Sequence, residues 1–387
     1  MYKRLLQLPV HPENSFFLWG PRQAGKTTLL KTTYPEAMRI DLLKTDELMR
    51  YTQEPSLLRQ EVLALAPGRM VVIDEIQKVP ALLDEIHYLI QEQDRIFALC
   101  GSSARKIRRG SKVNLLGGRA LRYELLGLTA PELGDDFSLE HMLNAGPLPR
   151  HYMSNKVKPL LRAYVQDYLR EEVMEEGLTR NLPVFSDFLR VAAIGDTEVV
   201  NMTHIARETG MAVSTVRGHF GILEDTLLGA FLPSFTLRPK RRTIQAPKFY
   251  FRDLGVVNHL THRSAVKPGS ELFGKAFENW LFHELSAHAR YTEKHYDLSF
   301  WRLSSGIEVD FILGHASVAV EAKGKPRITG TDLKGLIHFK KEYPSVQYRL
   351  LVCLEQRRRK TEEGIHVLPY QDFVESLWAG EWTSDLS

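Results

Sequence analysis

The sequence predicts an α/β fold whose first domain is built on a parallel β-sheet, and three observations lead to this prediction. An apolar run ends in the glycine-containing stretch 20–27, which a helix-forming segment follows. A second apolar run, rich in β-branched residues, ends in carboxylates at 74 and 75, and a third ends in serines at 102 and 103. Short apolar runs of this kind are typical of strands that are buried on both faces of a parallel sheet.

The first run leads into Gly-Pro-Arg-Gln-Ala-Gly-Lys-Thr, which fits the phosphate-binding pattern GxxxxGK[ST] without a mismatch. The glycines permit a tight turn, so that backbone N–H groups point at a phosphate from the start of the next helix. In this pattern Lys26 reaches the β/γ oxygens and Thr27 holds Mg²⁺, which predicts ATP and Mg²⁺ as cofactors. The predicted nucleotide-binding residues are Gly20, Pro21, Arg22, Gln23, Ala24, Gly25, Lys26, Thr27 and Thr28.

The second run, Met70–Ile73, ends in Asp74 and Glu75. A buried parallel strand would deliver both acids to the carboxyl edge of the sheet. We expect Asp74 to orient the Mg²⁺ shell and Glu75 to polarise the water that attacks the γ-phosphate, as in-line phosphoryl transfer requires. An apolar run that ends in two acids is by itself more often an ordinary strand end. The phosphate-binding loop earlier in the sequence is what favours a catalytic role for the two acids.

Three further residues are candidates for catalysis. Ser102 and Ser103 follow the apolar run 95–101 and could lie between the two acids, although a strand-capping role is the alternative. Arg119 follows Leu116-Gly117-Gly118, ahead of a fifth strand candidate at 121–126, and could stabilise transition-state charge in its own site or a neighbour's. A solvated loop charge is the alternative for Arg119.

Composition limits the remaining possibilities. A chain of 387 residues exceeds one ordinary core, and 43% hydrophobic with 25% charged residues is typical of globular domains. We expect a cytoplasmic protein without a membrane segment, because no run approaches the ~20 apolar residues of a span and the start lacks an apolar signal core. Cys100 and Cys353 lie in apolar runs, which predicts buried thiols and neither a disulfide nor a structural zinc site.

The net charge of +4 is small, but basic residues are clustered. Residues 101–125 contain seven Lys or Arg, and residues 238–252 contain six. Such clusters raise the local potential toward a polyanion and predict DNA as a partner, whereas solvated loops are the alternative. The basic residues are Arg105, Lys106, Arg108, Arg109, Lys112, Arg119, Arg122, Arg238, Lys240, Arg241, Arg242, Lys248 and Arg252.

The middle of the chain predicts helices. Apolar positions in 158–175 recur every three or four residues, which indicates an amphipathic helix that is either a lid or a connector. Residues 201–223 have helix-turn-helix spacing, with a stop at Gly210 and Ser214 as the cap of the second helix. Two β-like segments follow and predict a wing. We expect Arg217 and His219 to point outward, toward DNA or, alternatively, a protein partner.

The last part of the chain places two acids and a lysine on neighbouring strands. A helix from 273 to about 290 carries Glu278, and the strand candidates 308–313 and 317–323 carry Asp310, Glu321 and Lys323. Residues two apart on a strand share a face, so Glu321 and Lys323 can converge with Asp310 in a hairpin. These groups predict a Mg²⁺ site in which Lys323 orients the hydrolytic water. Alternating charges on an exposed strand would give a similar pattern.

Taken together, these motifs resemble a family of prokaryotic AAA+-like ATPases with a C-terminal domain of unknown function, DUF4143, whose end is similar to a PD-(D/E)xK nuclease fold. The resemblance covers nearly the whole chain. It rests on 20–27, 71–77, 101–105, 116–119, 164–172, the helix-turn-helix, 308–311 and 320–323. It implies nucleotide hydrolysis and leaves the substrate open.

We therefore predict a P-loop ATPase core at 1–135, a helical lid or linker at 136–182, a winged helix-turn-helix at 183–262 and a nuclease-like α/β domain at 263–387. The predicted function is ATP-driven binding and remodelling or processing of DNA, including branched DNA. The alternatives are an ATP-gated nuclease and a nucleotide switch that binds a protein partner. We also expect a homo-oligomer, with a ring as one form.

Overall fold

The computed structural model describes residues 2–102, 120–168, 182–236, 243–263, 265–292 and 294–386. These residues form two compact units with separate hydrophobic cores. The first unit comprises Arg4–Gly127 with Asp225–Leu228, and the second comprises Met1–Lys3, Leu128–Glu224 and Gly229–Ser387. In the described part of the chain, no helix is both long and apolar enough to cross a lipid bilayer.

The first unit combines helices with a parallel sheet. Its strands are β1 (Ser15–Trp19), β2 (Met38–Asp41), β3 (Val71–Asp74), β4 (Phe97–Gly101) and β5 (Ala120–Glu124). Its helices are α1 (Lys26–Thr33), α2 (Thr45–Gln53), α3 (Ser56–Leu63) and α4 (Leu82–Gln93). Within the described residues, the strand order is β2-β3-β4-β1-β5 and every pairing is parallel. This confirms the predicted parallel-sheet α/β domain.

The strand order places β4 between β1 and β3. Strands β1, β3 and β4 consist of fully buried residues, as expected for a sheet that is covered on both faces. Trp19 at the end of β1 pairs with Gly101 at the end of β4, and a Cβ on Gly101 would overlap the Trp19 ring and the Gln77 side chain. The carboxyl ends of three strands therefore meet closely at one edge.

The second unit begins with helices. They are α5 (Ala130–Leu133), α6 (Leu139–Ala145), α7 (Pro149–Tyr152), α8 (Val157–Ala163), α9 (Leu182–Ile194), α10 (Met202–Thr209) and α11 (Val213–Asp225). The predicted helix 158–175 is α8 followed by a π-helical turn at Tyr164–Tyr168, and its remainder lies outside the described residues.

Helices α10 and α11 form the predicted helix-turn-helix. Asn201 caps α10 by accepting a hydrogen bond from the His204 amide, and Gly210 ends it in the left-handed region at φ 69°. The prediction that Ser214 is the cap of α11 is wrong, because α11 already begins at Val213. Arg217 is exposed as expected.

The prediction that His219 points outward is also wrong. Its side chain is buried. The centre of its ring lies 4.9 Å from that of Phe185 in an edge-on contact and 5.0 Å from that of Phe188 in a tilted contact. Burial lowers the pKa of His219, so the imidazole fills a hydrophobic contact as the neutral form. The sequence spacing did not show this because α9, which supplies both phenylalanines, packs on the face of α11 that appeared polar.

The rest of the second unit contains a mixed sheet. After β6 (Gly229–Leu232) and β7 (Lys248–Phe251), which pair antiparallel, come α12 (Leu254–Leu260) and α13 (Glu271–Tyr291). The elements that follow are β8 (Leu298–Arg302), β9 (Glu308–Leu313), β10 (Val318–Lys323), α14 (Lys334–Glu342), β11 (Tyr348–Cys353), β12 (Arg359–Lys360), β13 (His366–Pro369) and α15 (Tyr370–Trp378). Among the described residues, the sheet order is β12-β13-β11-β10-β9-β8. The predicted helix and strands of this region are confirmed.

The long helix α13 buries a carboxyl group, Glu284, in this core. Its Oε1 accepts a hydrogen bond of 2.7 Å from the Ala130 amide, and burial raises the pKa of Glu284 to about 8. The folded protein thus holds a proton that the unfolded chain releases near pH 4. The difference in pKa therefore stabilises the folded protein fully below about pH 4, and this contribution to the free energy of unfolding is lost as the pH rises through about 8.

We therefore expect the free energy of unfolding to decrease less in Glu284→Gln than in the parent when the pH rises from 5 to 8.5. The difference between the two decreases should be at least about 2 kcal/mol. Urea unfolding at both pH values measures this change. Glu271→Gln, an exposed position on the same helix, is the control and should leave the parent's pH dependence intact.

Candidate functional site

The phosphate-binding loop connects β1 to α1 in the first unit. Gly25 has φ 97°, which only glycine adopts readily, and it directly precedes the first residue of α1. Lys26 is buried, and its ammonium donates hydrogen bonds to the backbone oxygens of Gly20 at 2.7 Å and Pro21 at 3.0 Å. The loop thus wraps around the ammonium group. Thr28 lies on the exposed side of α1.

Asp74 and Glu75 lie at the carboxyl end of β3, next to this loop. The Thr27 hydroxyl donates a hydrogen bond of 2.6 Å to Asp74 Oδ2, and the Glu75 amide donates one of 3.1 Å to Asp74 Oδ1. Glu75 has φ 56°, a left-handed conformation that is uncommon for residues other than glycine and occurs at functional sites.

Ser102 follows β4 and lies beside Glu75, whereas the prediction was a position between the two acids. Its hydroxyl donates to Glu75 Oε2 at 3.4 Å and accepts a hydrogen bond of 3.2 Å from Gln77 Nε2. Gln77 also donates to Glu75 Oε2. All three side chains are buried, so Glu75 is held by two neutral partners. Ser103 and Arg119 lie outside the described residues, as does most of the basic cluster 101–125.

Gln77 and Arg4 also belong to this site, although the sequence did not predict a role for either residue. Gln77 lies on the 3₁₀ turn Ile76–Lys78 directly after Glu75. Its closeness to both acids in the sequence could have indicated a role in the site. The Arg4 guanidinium donates to the Ala24 oxygen at 2.6 Å and to the Leu126 and Gly127 oxygens at 2.7 and 3.0 Å. It therefore ties the phosphate-binding loop to the segment after β5, and nothing in the sequence indicated this contact.

These residues fit a nucleotide with Mg²⁺. The hydroxyl of Thr27 and the carboxylate of Asp74 are joined by a hydrogen bond, which places two oxygen donors of the type that Mg²⁺ prefers side by side. Among the described residues, the buried ammonium of Lys26 donates its hydrogen bonds to backbone oxygens, and it can exchange them for phosphate oxygens.

Cys100 at the end of β4 is buried, and burial raises the pKa of its thiol well above the usual value.

A second polar cluster lies in the second unit, where the sequence predicted Glu278, Asp310, Glu321 and Lys323 to meet. The structure brings these residues together. Asp310 Oδ2 accepts a hydrogen bond of 2.9 Å from the Ala322 amide, which joins β9 to β10. Lys323 Nζ lies 2.5 Å from Glu321 Oε1. Glu278 on α13 and Asp310 contact the same lysine, Lys248.

Lys248 is the residue that the sequence analysis did not place in this cluster. It begins β7, and its ammonium lies 2.8 Å from Glu278 Oε1, 3.6 Å from Asp310 Oδ1 and 3.8 Å from Glu308 Oε1. One feature of the sequence could have indicated this role: Lys248 directly precedes the aromatic run Phe249-Tyr250-Phe251. A lysine next to such a run is expected to be buried only when an acidic group pairs with it. The predicted Mg²⁺ set omitted this cation. Over the described ranges, no three His, Cys, Asp or Glu residues are grouped to hold a metal ion.

Comparison with protein families divides the chain into three matches. Residues 12–134 match an AAA domain, residues 137–267 match a domain of unknown function (DUF8612), and residues 273–373 match another domain of unknown function (DUF4143). An uncharacterized protein of Mycobacterium bovis is 24% identical over 330 residues, which cover 83% of this chain and 70% of that protein. An uncharacterized protein of Mycobacterium tuberculosis matches to the same extent.

Among solved structures, the ORC2 protein of Aeropyrum pernix in ADPNP–ADP complexes aligns at 15% identity with a TM-score of 0.37. The alignment covers 65% of this chain and 89% of that chain. A signal-transduction ATPase with a tetratricopeptide repeat sensor from Pyrococcus horikoshii aligns at 12% identity with a TM-score of 0.21, over 73% of this chain and 45% of that chain. The family matches agree with the resemblance found in the sequence: the region that holds the phosphate-binding loop and Lys26 matches an AAA domain, and the C-terminal region matches DUF4143.

Proposed function

We propose that this protein hydrolyses ATP in its first unit and uses hydrolysis to bind and remodel DNA. The arrangement of Thr27, Asp74, Glu75 and Ser102 at one sheet edge carries the first half of the proposal. Lys26 would bind the β/γ oxygens of ATP, and Thr27 and Asp74 would hold Mg²⁺, which would neutralise charge on the phosphates. Glu75 orients the attacking water and accepts its proton. Gln77 and Ser102 position the Glu75 carboxylate.

A basic cavity in the second unit carries the DNA half of the proposal. The cavity has a volume of about 780 Å³ and lies among α6, α8 and α12. Its ionisable lining, within the described residues, contains cations and imidazoles and no carboxylate: His141, Lys158, Arg162, His259, His262 and Arg263. Such a lining favours a polyanion.

The electrostatics of the lining support the same conclusion. Burial lowers the pKa of His259, and the positive charges of His262 and Arg162 lower it further. Burial also lowers the pKa of Arg263, although Asp196, which does not line the cavity, opposes this effect. The charges of His262 and Arg162 thus act on His259, and a bound phosphate group would relieve this repulsion.

Two other features agree with a DNA partner. Helix α11 presents Arg217 to solvent, and the antiparallel strands β6 and β7, which we propose to act as a wing, follow it in the chain. We propose that this winged helix, the basic residues of 238–242, which lie outside the described residues, and the cavity contact one DNA molecule. A protein partner remains the competing proposal for the helix-turn-helix, because such folds also serve as protein contacts.

The cavity gives a direct test. Replacing Lys158 and Arg162 together with glutamine removes two exposed charges from its lining. DNA binding should weaken, and the slope of log affinity against log salt should decrease in magnitude by about two, one unit for each lost phosphate contact. Fluorescence anisotropy with single-stranded, duplex and four-way DNA at several salt concentrations measures both quantities.

The matched control replaces Arg150 and Lys156 with glutamine. Both are exposed, neither lines the cavity, and the change in net charge is the same. The control should bind DNA nearly as the parent does. If both double variants retain the parent's affinity and slope, the cavity does not bind DNA, and the nucleotide-switch alternative gains support.

A further inference from the structure

The cluster of Glu278, Asp310 and Glu321 has the acidic residues expected of a metal-dependent nuclease, but the cation among them is a lysine ammonium. A divalent ion such as Mg²⁺ takes about six oxygen ligands and requires open space between the carboxylates that bind it. In this protein the space between Glu278 and Asp310 contains the ammonium of Lys248, at 2.8 Å from one carboxylate and 3.6 Å from the other. The lysine is 2% exposed.

The carboxylate oxygens around this ammonium already have partners. Glu278 Oε1 also accepts a hydrogen bond of 2.6 Å from the Tyr250 hydroxyl. Asp310 Oδ2 accepts the Ala322 amide. Glu321 Oε1 contacts Lys323. Among the described carboxylates of this cluster, Glu321 Oε2 and Glu308 Oε2 are buried without a hydrogen bond. Two such oxygens are fewer than the about six ligands that a divalent ion such as Mg²⁺ takes.

The ammonium is also surrounded by negative charge. It lies within 4 Å of three carboxylates, those of Glu278, Asp310 and Glu308. Displacing this group would leave a buried ion pair broken, which is strongly unfavourable. Lys248 therefore competes with any metal ion for the same carboxylates.

We propose that the ammonium of Lys248 takes the place of a divalent cation in the C-terminal acidic cluster, so that this cluster neither binds Mg²⁺ nor cleaves DNA. The second unit then contacts DNA as a binding module, and ATP hydrolysis in the first unit is the chemistry of the chain. The proposal excludes the ATP-gated nuclease. This proposal does not depend on DNA binding in the basic cavity, because the acidic cluster would lack a metal ion whether or not the cavity binds DNA.

The experiment measures Mn²⁺ binding to the full chain without nucleotide, by electron paramagnetic resonance of the free ion. Lys248→Met keeps the length of the side chain and removes its charge. We expect this variant to bind one more Mn²⁺ ion per chain than the parent does, and Asp310→Asn in the same variant to abolish the gain. Lys323→Met removes the other lysine of the cluster and should produce no gain.

Two results would overturn the proposal. One is a folded Lys248→Met variant, shown by its thermal unfolding, that gains no Mn²⁺ site. The other is a parent protein that binds a Mn²⁺ ion, or cuts DNA in Mn²⁺, in a manner that Asp310→Asn abolishes. If Lys248→Met does not fold, the comparison of the parent with Asp310→Asn decides, because equal Mn²⁺ binding by these two proteins supports an occupied cluster.

Discussion

Replacing Glu75 with glutamine is expected to slow ATP hydrolysis by about 10²- to 10⁴-fold while ATP binding remains. The substitution removes the carboxylate that accepts a proton from the attacking water and keeps the shape of the side chain. Binding should persist because Lys26, Thr27 and Asp74 make their contacts without Glu75, apart from the hydrogen bond of its amide to Asp74. The amide of Glu75 is unchanged by the substitution.

Steady-state phosphate release and binding of a fluorescent ATP analogue measure the two quantities separately. Glu36→Gln, at an exposed position in the same unit, is the matched control and should hydrolyse ATP as the parent does. A Glu75→Gln protein that turns over at the parent rate would show that another group activates the water.

Lys26→Ala is expected to abolish hydrolysis and to weaken nucleotide binding by at least ~10-fold, since it deletes a charge-assisted contact to the phosphates. The buried ammonium also bonds to the Gly20 and Pro21 oxygens, so the empty loop of the variant loses two internal hydrogen bonds. Thermal unfolding without nucleotide separates this local effect from loss of the fold.

Lys31→Ala provides the control for this variant, because Lys31 is an exposed lysine near the end of the same helix α1. It should bind and hydrolyse ATP at the parent level. Parent-like nucleotide affinity in a folded Lys26→Ala protein would contradict the assignment of the loop. The two variants of the active site thus have different signatures: Glu75→Gln retains nucleotide, and Lys26→Ala loses it.

The nucleotide site was largely predictable because its parts are local in the sequence. The phosphate-binding loop is eight consecutive residues, and Asp74 with Glu75 ends a recognisable apolar strand. Their proximity followed from one rule, that parallel strands carry such groups to a common edge. The position of Ser102 depended on the strand order, which no local pattern specifies. In the structure, β4 lies between β1 and β3, and this strand order brings Ser102 to Glu75.

The second unit shows the limit of local patterns. The proximity of Asp310 to the end of β10 could be predicted from a hairpin, because the two strands are close in the sequence. Lys248 joins this cluster from 62 positions before Asp310, on a strand that pairs with β6 and not with β9. His219 is a similar case, since its burial depends on phenylalanines of α9. Such contacts are tertiary and have no signature within a short window of sequence.

ATP turnover in the presence of DNA tests the central claim most directly. Steady-state hydrolysis should be measured for the parent, for Glu75→Gln and for the Lys158→Gln, Arg162→Gln double variant, with and without single-stranded, duplex and four-way DNA. We expect at least one of these DNAs to stimulate the parent, Glu75→Gln to show little turnover in any condition, and the double variant to require more DNA for the same stimulation. A parent rate that no DNA changes would contradict the coupling of hydrolysis to DNA.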